Sequence, residues 1–275
     1  MRSDVAAMDL LQPRTVEEAV LLLRDNPGTA PLAGGTDLYV ALNLGTLQGR
    51  SFLDLWALDE LRQIRDTDGV LSIGALASYS EIIRSRAVRA RLPMLVAASR
   101  EIGGVQIQNR GTLGGNIANG SPAGDSLPVL LAADAVIVLR SAAGERRVPI
   151  VDFYLAYRQS VMRADEIITT VEIPRTDGKQ WFHKVGTRAA QAISKVVMAG
   201  IRGDRVRLAI GSVAPVPLRL PRTEEALSNG AGIEHARVEL DAEIAPMDDL
   251  RSTERYRRRV AGNLLDRFWR ETTAE

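Results

Sequence analysis

The N-terminal part of the chain alternates short apolar runs with turn-forming residues. Thr15 and Glu18 have the spacing of a capping box, in which hydroxyl and carboxylate satisfy free backbone amides at a helix start. The pattern predicts a capped helix, a strand, a glycine turn and a second helix, at residues 15–26, 30–33, 34–37 and 38–42. We expect the turn to lie between a strand end and a helix start.

The middle of the chain contains apolar runs of two kinds. Short runs bounded by glycine, proline or charged residues predict strands at 51–55, 70–74, 135–139 and 166–173. A Ser-Ala-Ala-Gly stretch predicts a hairpin turn at 141–144, leading to a further strand at 147–150. Longer stretches predict helices at 80–86 and 88–102, the second interrupted at Pro93. This is mixed α and β structure without strict alternation.

The last third of the chain follows a turn-rich stretch at 174–178, where we place a domain boundary near residue 176. Strands are predicted at 181–185 and 205–213. A final helix is predicted because apolar residues recur every four positions, at Tyr256, Val260, Leu264 and Phe268. The basic residues 255 and 257–259 on this helix indicate a solvated face, or alternatively a subunit contact.

Composition narrows the chemistry. The 275 residues include no cysteine, which excludes disulfides, thiolate metal sites, a cysteine nucleophile and an iron–sulfur cluster held by this chain. The two histidines, His183 and His235, have no ligand partners at metal-binding spacing, so we expect no metal site. A net charge of +1 favours neither nucleic acid nor an anionic membrane as partner. Without a membrane-spanning run or a secretory signal, we expect a cytoplasmic protein.

Two glycine-rich segments are candidates for holding a diphosphate. Glycine lets backbone amides approach a phosphate closely, because no Cβ blocks the way. In the first segment, Gly34 and Gly35 can adopt positive φ, with a helix start near Asp37 directed at the phosphate. The second is Gly111-Thr112-Leu113-Gly114-Gly115-Asn116. Each segment alone is more typical of an ordinary tight turn. The usual dinucleotide, P-loop and hydrolase motifs do not occur.

Several segments resemble, in their order and amino-acid sequence, those of the FAD-binding medium subunit of the molybdenum hydroxylases. This is the xanthine dehydrogenase and carbon monoxide dehydrogenase family. The segments are PLAGGTD at 31–37, QNRGTLGGNIANGSPAGD at 108–125, DEII at 165–168, FHKVGTR at 182–188 and APVPLR at 214–219. The resemblance covers the chain nearly end to end. Its long middle segment is the most specific.

The resemblance implies an α+β fold. A two-lobed FAD-binding domain of the vanillyl-alcohol oxidase type is expected at 1–176, with lobes at 1–57 and 58–176. A small α+β domain of the carbon monoxide dehydrogenase flavoprotein type follows at 177–275.

The resemblance also implies a set of cofactor-binding residues. The diphosphate and ribityl would be wrapped by Leu32, Ala33, Gly34, Gly35, Thr36, Asp37, Leu38, Gly111, Thr112, Gly114, Gly115 and Asn116. Thr36, Thr112 and Asn116 would supply side-chain donors.

Four further residues are assigned by the resemblance. Asp125 would accept hydrogen bonds from ribose hydroxyls, or alternatively cap the helix after it. Ile102 and Ile168 would lie near the adenine or the flavin, unless they are simple core residues. Lys184 would place a cation beside the reduced flavin, unless it is a solvated strand lysine. Residues 187–192, a loop near the flavin in such proteins, contain no aromatic side chain here.

The implied function is electron transfer within a complex. A large molybdenum-cofactor subunit would hydroxylate an N-heterocycle, an aldehyde or a similar small molecule, and a small subunit with two-iron two-sulfur clusters would relay the electrons. FAD on this chain would pass them to NAD, a quinone or oxygen, and no catalytic acid or base is expected here. Two alternatives remain: a self-sufficient FAD oxidase and a flavin-free assembly scaffold.

Overall fold

A short parallel sheet begins the chain. The computed structural model describes residues 8–47, 49–188 and 191–273. The first strands are β1 (Asp9–Leu11), β2 (Ala30–Leu32) and β3 (Ser51–Asp54), and the first helices are α1 (Val16–Asp25) and α2 (Leu38–Leu44). Strand β3 lies in the centre, with β1 and β2 parallel to it on either side. The strands and helices predicted for this part of the chain are confirmed.

Helix α1 begins at Thr15 for the predicted reason, with one difference. The Thr15 hydroxyl accepts a hydrogen bond from the Glu18 amide at 3.1 Å. The Glu18 carboxylate accepts from the Arg14 amide at 2.7 Å instead of from Thr15, so the capping box is only half formed. The apolar face of α1, including Val20 and Leu23, is buried against the sheet.

A larger antiparallel sheet follows. Its strands are β4 (Ile64–Thr67), β5 (Val70–Gly74), β6 (Val136–Ser141), β7 (Gly144–Pro149) and β10 (Ile167–Pro174). Their order is β4-β5-β10-β6-β7. The hairpin turn predicted at 141–144 is confirmed, because Ser141 pairs with Gly144. A separate small hairpin is formed by β8 (Tyr154–Ala156) and β9 (Gln159–Ser160).

Six short helices lie between β5 and β6 in the chain. They are α3 (Tyr79–Arg84), α4 (Arg86–Arg91), α5 (Pro93–Glu101), α6 (Val105–Arg110), α7 (Leu113–Asn119) and α8 (Ser126–Ala132). The predicted interruption at Pro93 is confirmed, because this proline occupies the first turn of α5, where its missing N–H costs nothing. All seven residues of α8 are buried, and the helix packs against α5, α7 and the C-terminal part of the chain.

The C-terminal sheet has the order β11-β12-β13-β14 and is antiparallel throughout. Its strands are β11 (Lys179–Val185), β12 (Val196–Arg202), β13 (Val206–Gly211) and β14 (Leu218–Arg219), and the helices after it are α9 (Pro221–Ser228), α10 (Ile233–Glu243) and α11 (Glu254–Thr273). The two strands predicted here are confirmed. Together these elements confirm the α+β fold class, whereas the kinship with vanillyl-alcohol oxidase stays a prediction.

Helix α11 buries three of the four residues predicted for its apolar face, with Tyr256 40% exposed, and corrects the prediction for its basic run. Val260, Leu264 and Phe268 are buried, with Phe268 packed so closely on Gly200 of β12 that a Cβ there would lie 2.6 Å from the ring. Arg257 is also buried, and its guanidinium donates to the Ser212 carbonyl and, at 2.7 Å, to Asp249. One member of the basic run is therefore a structural residue, not part of a solvated face.

An ion-pair cluster joins the C-terminal sheet to the end of α8. Asp134 accepts hydrogen bonds from Arg207 at 3.2 Å and from Arg219, and Arg205 lies 3.4 Å away. Arg219 also pairs with Glu224. Burial alone would raise the pKa of Asp134, but the hydrogen bonds from Arg219 and Arg207 outweigh it and hold that pKa below its usual value.

The expected divisions of the chain fall between sheets. Residue 57 follows the last strand of the first sheet, and residue 176 lies between the end of β10 and the start of β11. The exact bounds 1–57, 58–176 and 177–275 stay predictions. Among the described residues, no helix combines the length and the apolar character needed to cross a membrane.

Candidate cofactor-binding site

A cavity of about 1370 Å³ is lined by residues of three sheets: the parallel sheet, the five-stranded sheet and the C-terminal sheet. It exceeds the roughly 300–1,000 Å³ of ordinary small-molecule pockets, so it has room for a dinucleotide. Of the site residues predicted from the sequence, only Gly111 is absent from its lining. The lining includes Leu32, Ala33, Gly34, Gly35, Thr36, Asp37, Leu38, Ile102, Thr112, Gly114, Gly115, Asn116, Asp125, Ile168 and Lys184.

The first glycine segment needs its two glycines for different reasons. Gly35 has φ +74°, the left-handed region that favours glycine. Gly34 does not share it, so only one of the two glycines uses this conformation. A Cβ on Gly34 would instead lie 1.7 Å from the carbonyl oxygen of Arg110. Gly34 is therefore required because α6 ends directly against this segment.

The backbone amides of the first segment are available to a ligand. Among the described residues, the N–H groups from Ala33 to Leu38 find no hydrogen-bond acceptor, although all six residues line the cavity. Tyr39 is the first residue of this stretch whose amide donates within the protein, to the Gly35 carbonyl at 2.9 Å. A run of free amides on a glycine turn is a typical anion-binding surface. The geometry thus fits a diphosphate.

The second glycine segment is helical, which corrects the expectation of a turn that offers backbone donors. Thr112 is the N-cap of α7, and its hydroxyl accepts from the Gly115 amide at 3.1 Å. The Gly114 amide donates to the Ala75 carbonyl at 2.8 Å and the Asn116 amide to the Thr112 carbonyl at 3.0 Å. These amides are already used. Gly114 instead lets α7 pack closely on Ala75, where a Cβ would lie 2.6 Å away, and both Gly114 and Gly115 line the cavity.

A buried ion pair lies on another wall of the cavity. Lys184 Nζ is 2.6 Å from Asp125 Oδ2, and the two side chains are only 5% and 8% exposed. Burial raises the pKa of Asp125 to about 6, although the neighbouring Lys184 opposes the shift. Asp125 makes no side-chain capping bond to α8, so the capping alternative is wrong. The solvated alternative for Lys184 is also wrong, because its side chain is buried.

Comparison with known proteins identifies the family. The pattern described as "FAD binding domain in molybdopterin dehydrogenase" matches residues 6–176, and the "CO dehydrogenase flavoprotein C-terminal domain" matches residues 181–272. The chain belongs to the FAD-binding subunit family of the molybdenum hydroxylases. It is thus an oxidoreductase subunit of the flavoprotein type, as the sequence segments predicted.

Relatives of this flavoprotein family match over almost the whole chain. The chain is 33% identical over 271 residues to the glyceraldehyde dehydrogenase medium chain of Sulfolobus acidocaldarius, which covers 95% of this chain and 96% of the relative. It is 33% identical over 267 residues to the carbon monoxide dehydrogenase medium chain of Hydrogenophaga pseudoflava, covering 93% of each. A solved structure of that organism's carbon monoxide dehydrogenase has a TM-score of 0.89 at 29% identity and covers 94% of this chain and 95% of the other.

In this flavoprotein subunit, a hydroxyl network orients Asn116. Ser126 Oγ donates to Asn116 Oδ1 at 2.7 Å, and the Tyr79 hydroxyl lies 3.4 Å from Ser126 Oγ. Because the Asn116 carbonyl oxygen is held in this way, its NH₂ group is left as a donor. This agrees with the donor role predicted for Asn116, which stays a prediction.

We expect Ser126→Ala to weaken FAD binding about fivefold, since a neutral hydrogen bond contributes about 1 kcal/mol. The loss arises because the Asn116 amide becomes free to rotate. Quenching of FAD fluorescence during titration would measure the effect. Ser141→Ala is the control, because this buried serine lies in the β6–β7 hairpin, outside the cavity lining. Unchanged affinity in Ser126→Ala alongside a loss in Asn116→Ala would contradict the positioning.

Some lining residues of the flavoprotein site were not predicted. Tyr157 and Arg158 at the tip of the β8–β9 hairpin reach the cavity, as do Met247 and Arg251 from the segment before α11. No sequence motif marks these four residues. The turn at residues 157–158 is recognised only in the structure, from the two short strands on either side of it. In the loop at 187–192, Ala192 lines the cavity, whereas residues 189 and 190 lie outside the described residues.

The histidines of the flavoprotein subunit lie apart from the cavity lining. His183 Nε2 is 2.9 Å from an Arg267 nitrogen, and burial together with this cation lowers the pKa of His183. His235 is exposed on α10, 3.8 Å from Glu239. In the ranges that the structure describes, no group of three His, Cys, Asp or Glu side chains could hold a metal ion.

Proposed function

We propose that this chain is the FAD-carrying electron-transfer subunit of a heteromeric molybdenum hydroxylase. It would receive electrons from a small partner subunit with two-iron two-sulfur clusters and pass them to NAD, a quinone or oxygen. The large molybdenum-cofactor subunit would hydroxylate the substrate, an N-heterocycle, an aldehyde or a similar small molecule. The observation that carries this proposal is the run of unbonded amides from Ala33 to Leu38 along a dinucleotide-sized cavity.

The chain's residues divide the work of holding FAD. The free amides of the first segment and the Thr36 hydroxyl would bind the diphosphate, and the Asn116 amide would add a donor from α7. Asp125 would accept hydrogen bonds from ribose hydroxyls, and Ile102 and Ile168 would exclude water from the rings. Bound FAD supplies chemistry in both one- and two-electron steps, which no protein side chain here provides. A cytoplasmic location stays part of the proposal.

The test of the proposal is flavin binding by the full-length chain. We expect the purified protein to carry FAD, or its apo form to bind added FAD and quench its fluorescence. Gly115→Leu should weaken binding on the order of 100-fold, or about 2.7 kcal/mol, because its Cβ would lie 2.8 Å from Thr112 Oγ1, the N-cap hydroxyl of α7, at a position that lines the cavity. Ala242→Leu adds the same bulk to an exposed position of α10 and should bind normally.

Three outcomes separate the alternatives. A wild-type chain that neither carries nor binds FAD would contradict the proposal and support a flavin-free scaffold. Reduction of the bound flavin by an organic substrate, with no partner subunit present, would support a self-sufficient oxidase. Flavin reduction that requires the purified iron–sulfur subunit supports the proposed electron transfer.

A further inference from the structure

Asp125 has an unusual set of partners for a buried carboxylate. Oδ2 is bound by Lys184 at 2.6 Å, whereas Oδ1 is buried and has no hydrogen-bond partner among the described residues. A buried acceptor without a partner costs about 1–3 kcal/mol. Because Asp125 lines the cavity, a ligand hydroxyl there would remove this cost. The carboxylate is thus half satisfied by the protein, with its second oxygen unused.

The Lys184 ammonium is already committed to the protein. Besides Asp125 it donates to the backbone carbonyl of Glu101, 3.0 Å away at the end of α5, and the side chain is 5% exposed. Because the Asp125 carboxylate lies only 2.6 Å from this ammonium, most of its charge is balanced there and little is left to act on a flavin ring. This geometry departs from the expected role of a free cation beside the reduced flavin.

The two residues come from different parts of the chain. Asp125 precedes α8, whereas Lys184 lies on β11 of the C-terminal sheet, 59 positions later. Loss of either partner leaves a buried, unpaired charge, which costs far more than the pair contributes. The C-terminal sheet therefore helps to shape the cavity wall that Asp125 belongs to.

We infer that Lys184 is a positioning residue: its ammonium fixes one oxygen of Asp125, so that the other oxygen can accept hydrogen bonds from the ribose hydroxyls of FAD. The inference rests on the proposed function, because it requires FAD in this cavity. It assigns Lys184 to the ribose through Asp125 and not to the flavin ring. It also makes the C-terminal sheet part of the cofactor site.

A double-mutant cycle on the full-length chain tests the inference. Lys184→Met, Asp125→Asn and the double variant are compared with wild type for the dissociation constant of FAD and the midpoint potential of the bound flavin. We expect each single change to weaken FAD binding about 10- to 100-fold. The double variant should bind FAD at least as tightly as the single variant with the lower FAD affinity. The flavin potential in the double variant should equal that of wild type, because the ion pair is removed as a whole and no unpaired charge is left in the cavity wall.

Lys195→Met is the matched control. Lys195 lies just before β12 with its ammonium 4.9 Å from the Tyr256 ring, outside the cavity lining, so FAD binding and potential should both be unchanged. If Lys184→Met fails to fold, the double variant still tests the positioning role, because it removes both buried charges. Compared with Asp125→Asn, it must show no further loss of affinity.

The results that would overturn the inference are distinct from those against the proposed function. A wild-type chain without FAD affinity contradicts the proposed function itself. A wild-type chain that binds FAD, together with a Lys184→Met variant that binds equally well, contradicts only the positioning role. The role is also overturned if the losses of the two single variants multiply in the double variant, or if the double variant shifts the flavin potential.

Discussion

Gly34→Ala should weaken FAD binding on the order of 100-fold and lower the free energy of unfolding by about 1–3 kcal/mol. The added Cβ would lie 1.7 Å from the oxygen and 2.5 Å from the carbon of the Arg110 carbonyl. Both are backbone atoms at the end of α6, so no side-chain rotation relieves the contact. Either α6 or the segment of free amides must move, and the donors then no longer match a diphosphate. Fluorescence titration and urea unfolding measure the two effects.

Gly262→Ala is the matched control for this change. Its Cβ would meet only the flexible guanidinium of Arg237, 3.1 Å away, and the site lies on α11 away from the cavity lining. Because alanine is favoured over glycine inside a helix by about 1 kcal/mol, this variant should be as stable as wild type or more so. FAD affinity in Gly34→Ala within threefold of wild type would show that the segment tolerates displacement, and that the free amides do not hold the cofactor.

Asp134→Ala should lower the free energy of unfolding by about 2 kcal/mol. Breaking a buried ion pair costs roughly 3–5 kcal/mol, and the cost is smaller here because the Asp134 side chain is 34% exposed. The variant leaves Arg207 and Arg219, which are 10% and 16% exposed, without their shared carboxylate. Urea unfolding measures the loss. Asp204→Ala removes the same charge from a nearby exposed turn, and we expect it to unfold like wild type.

The Asp134 effect should depend on pH in a defined direction. The folded protein holds the pKa of Asp134 below its ordinary value, so the folded state prefers the ionised form. Its contribution to stability is therefore present above the unfolded pKa of about 3.9 and is lost as the pH falls through the lower, folded value. The stability difference between wild type and Asp134→Ala should shrink in that acid range. A difference that stays constant down to full protonation would mean that charge is not its source.

Alternation and turn residues predicted most of the long elements. Strand β10 and helix α11 have clear periods of two and four, and both were found near their predicted bounds. Strand β12 was missed because its first six residues form an apolar run with no period. Helices α6 and α7 were missed because six or seven residues give too few turns for a helical pattern to emerge, and the glycines of α7 favour a turn.

The residues of the site were predictable from the family resemblance, but their physical roles were not. The need for glycine at position 34 comes from Arg110, which is far away in sequence and touches it only in the folded chain. The use of the α7 amides within the protein depends on carbonyls at Ala75 and Ala77. The pairing of Asp125 with Lys184 joins the start of α8 to the C-terminal sheet. Such contacts between distant segments leave no local pattern that a single sequence could reveal.

Because residues of three sheets line one cavity, binding of the cofactor stabilises the folded chain. A compound that binds only the folded chain stabilises it by an amount set by mass action, about 4 kcal/mol at a thousandfold excess over its dissociation constant. Because the cavity draws its walls from the first sheet, the second sheet and β11, that stabilisation acts on all three at once. Chains that have not yet acquired FAD would open more often and be degraded faster. Cofactor supply would then set how much of the subunit accumulates.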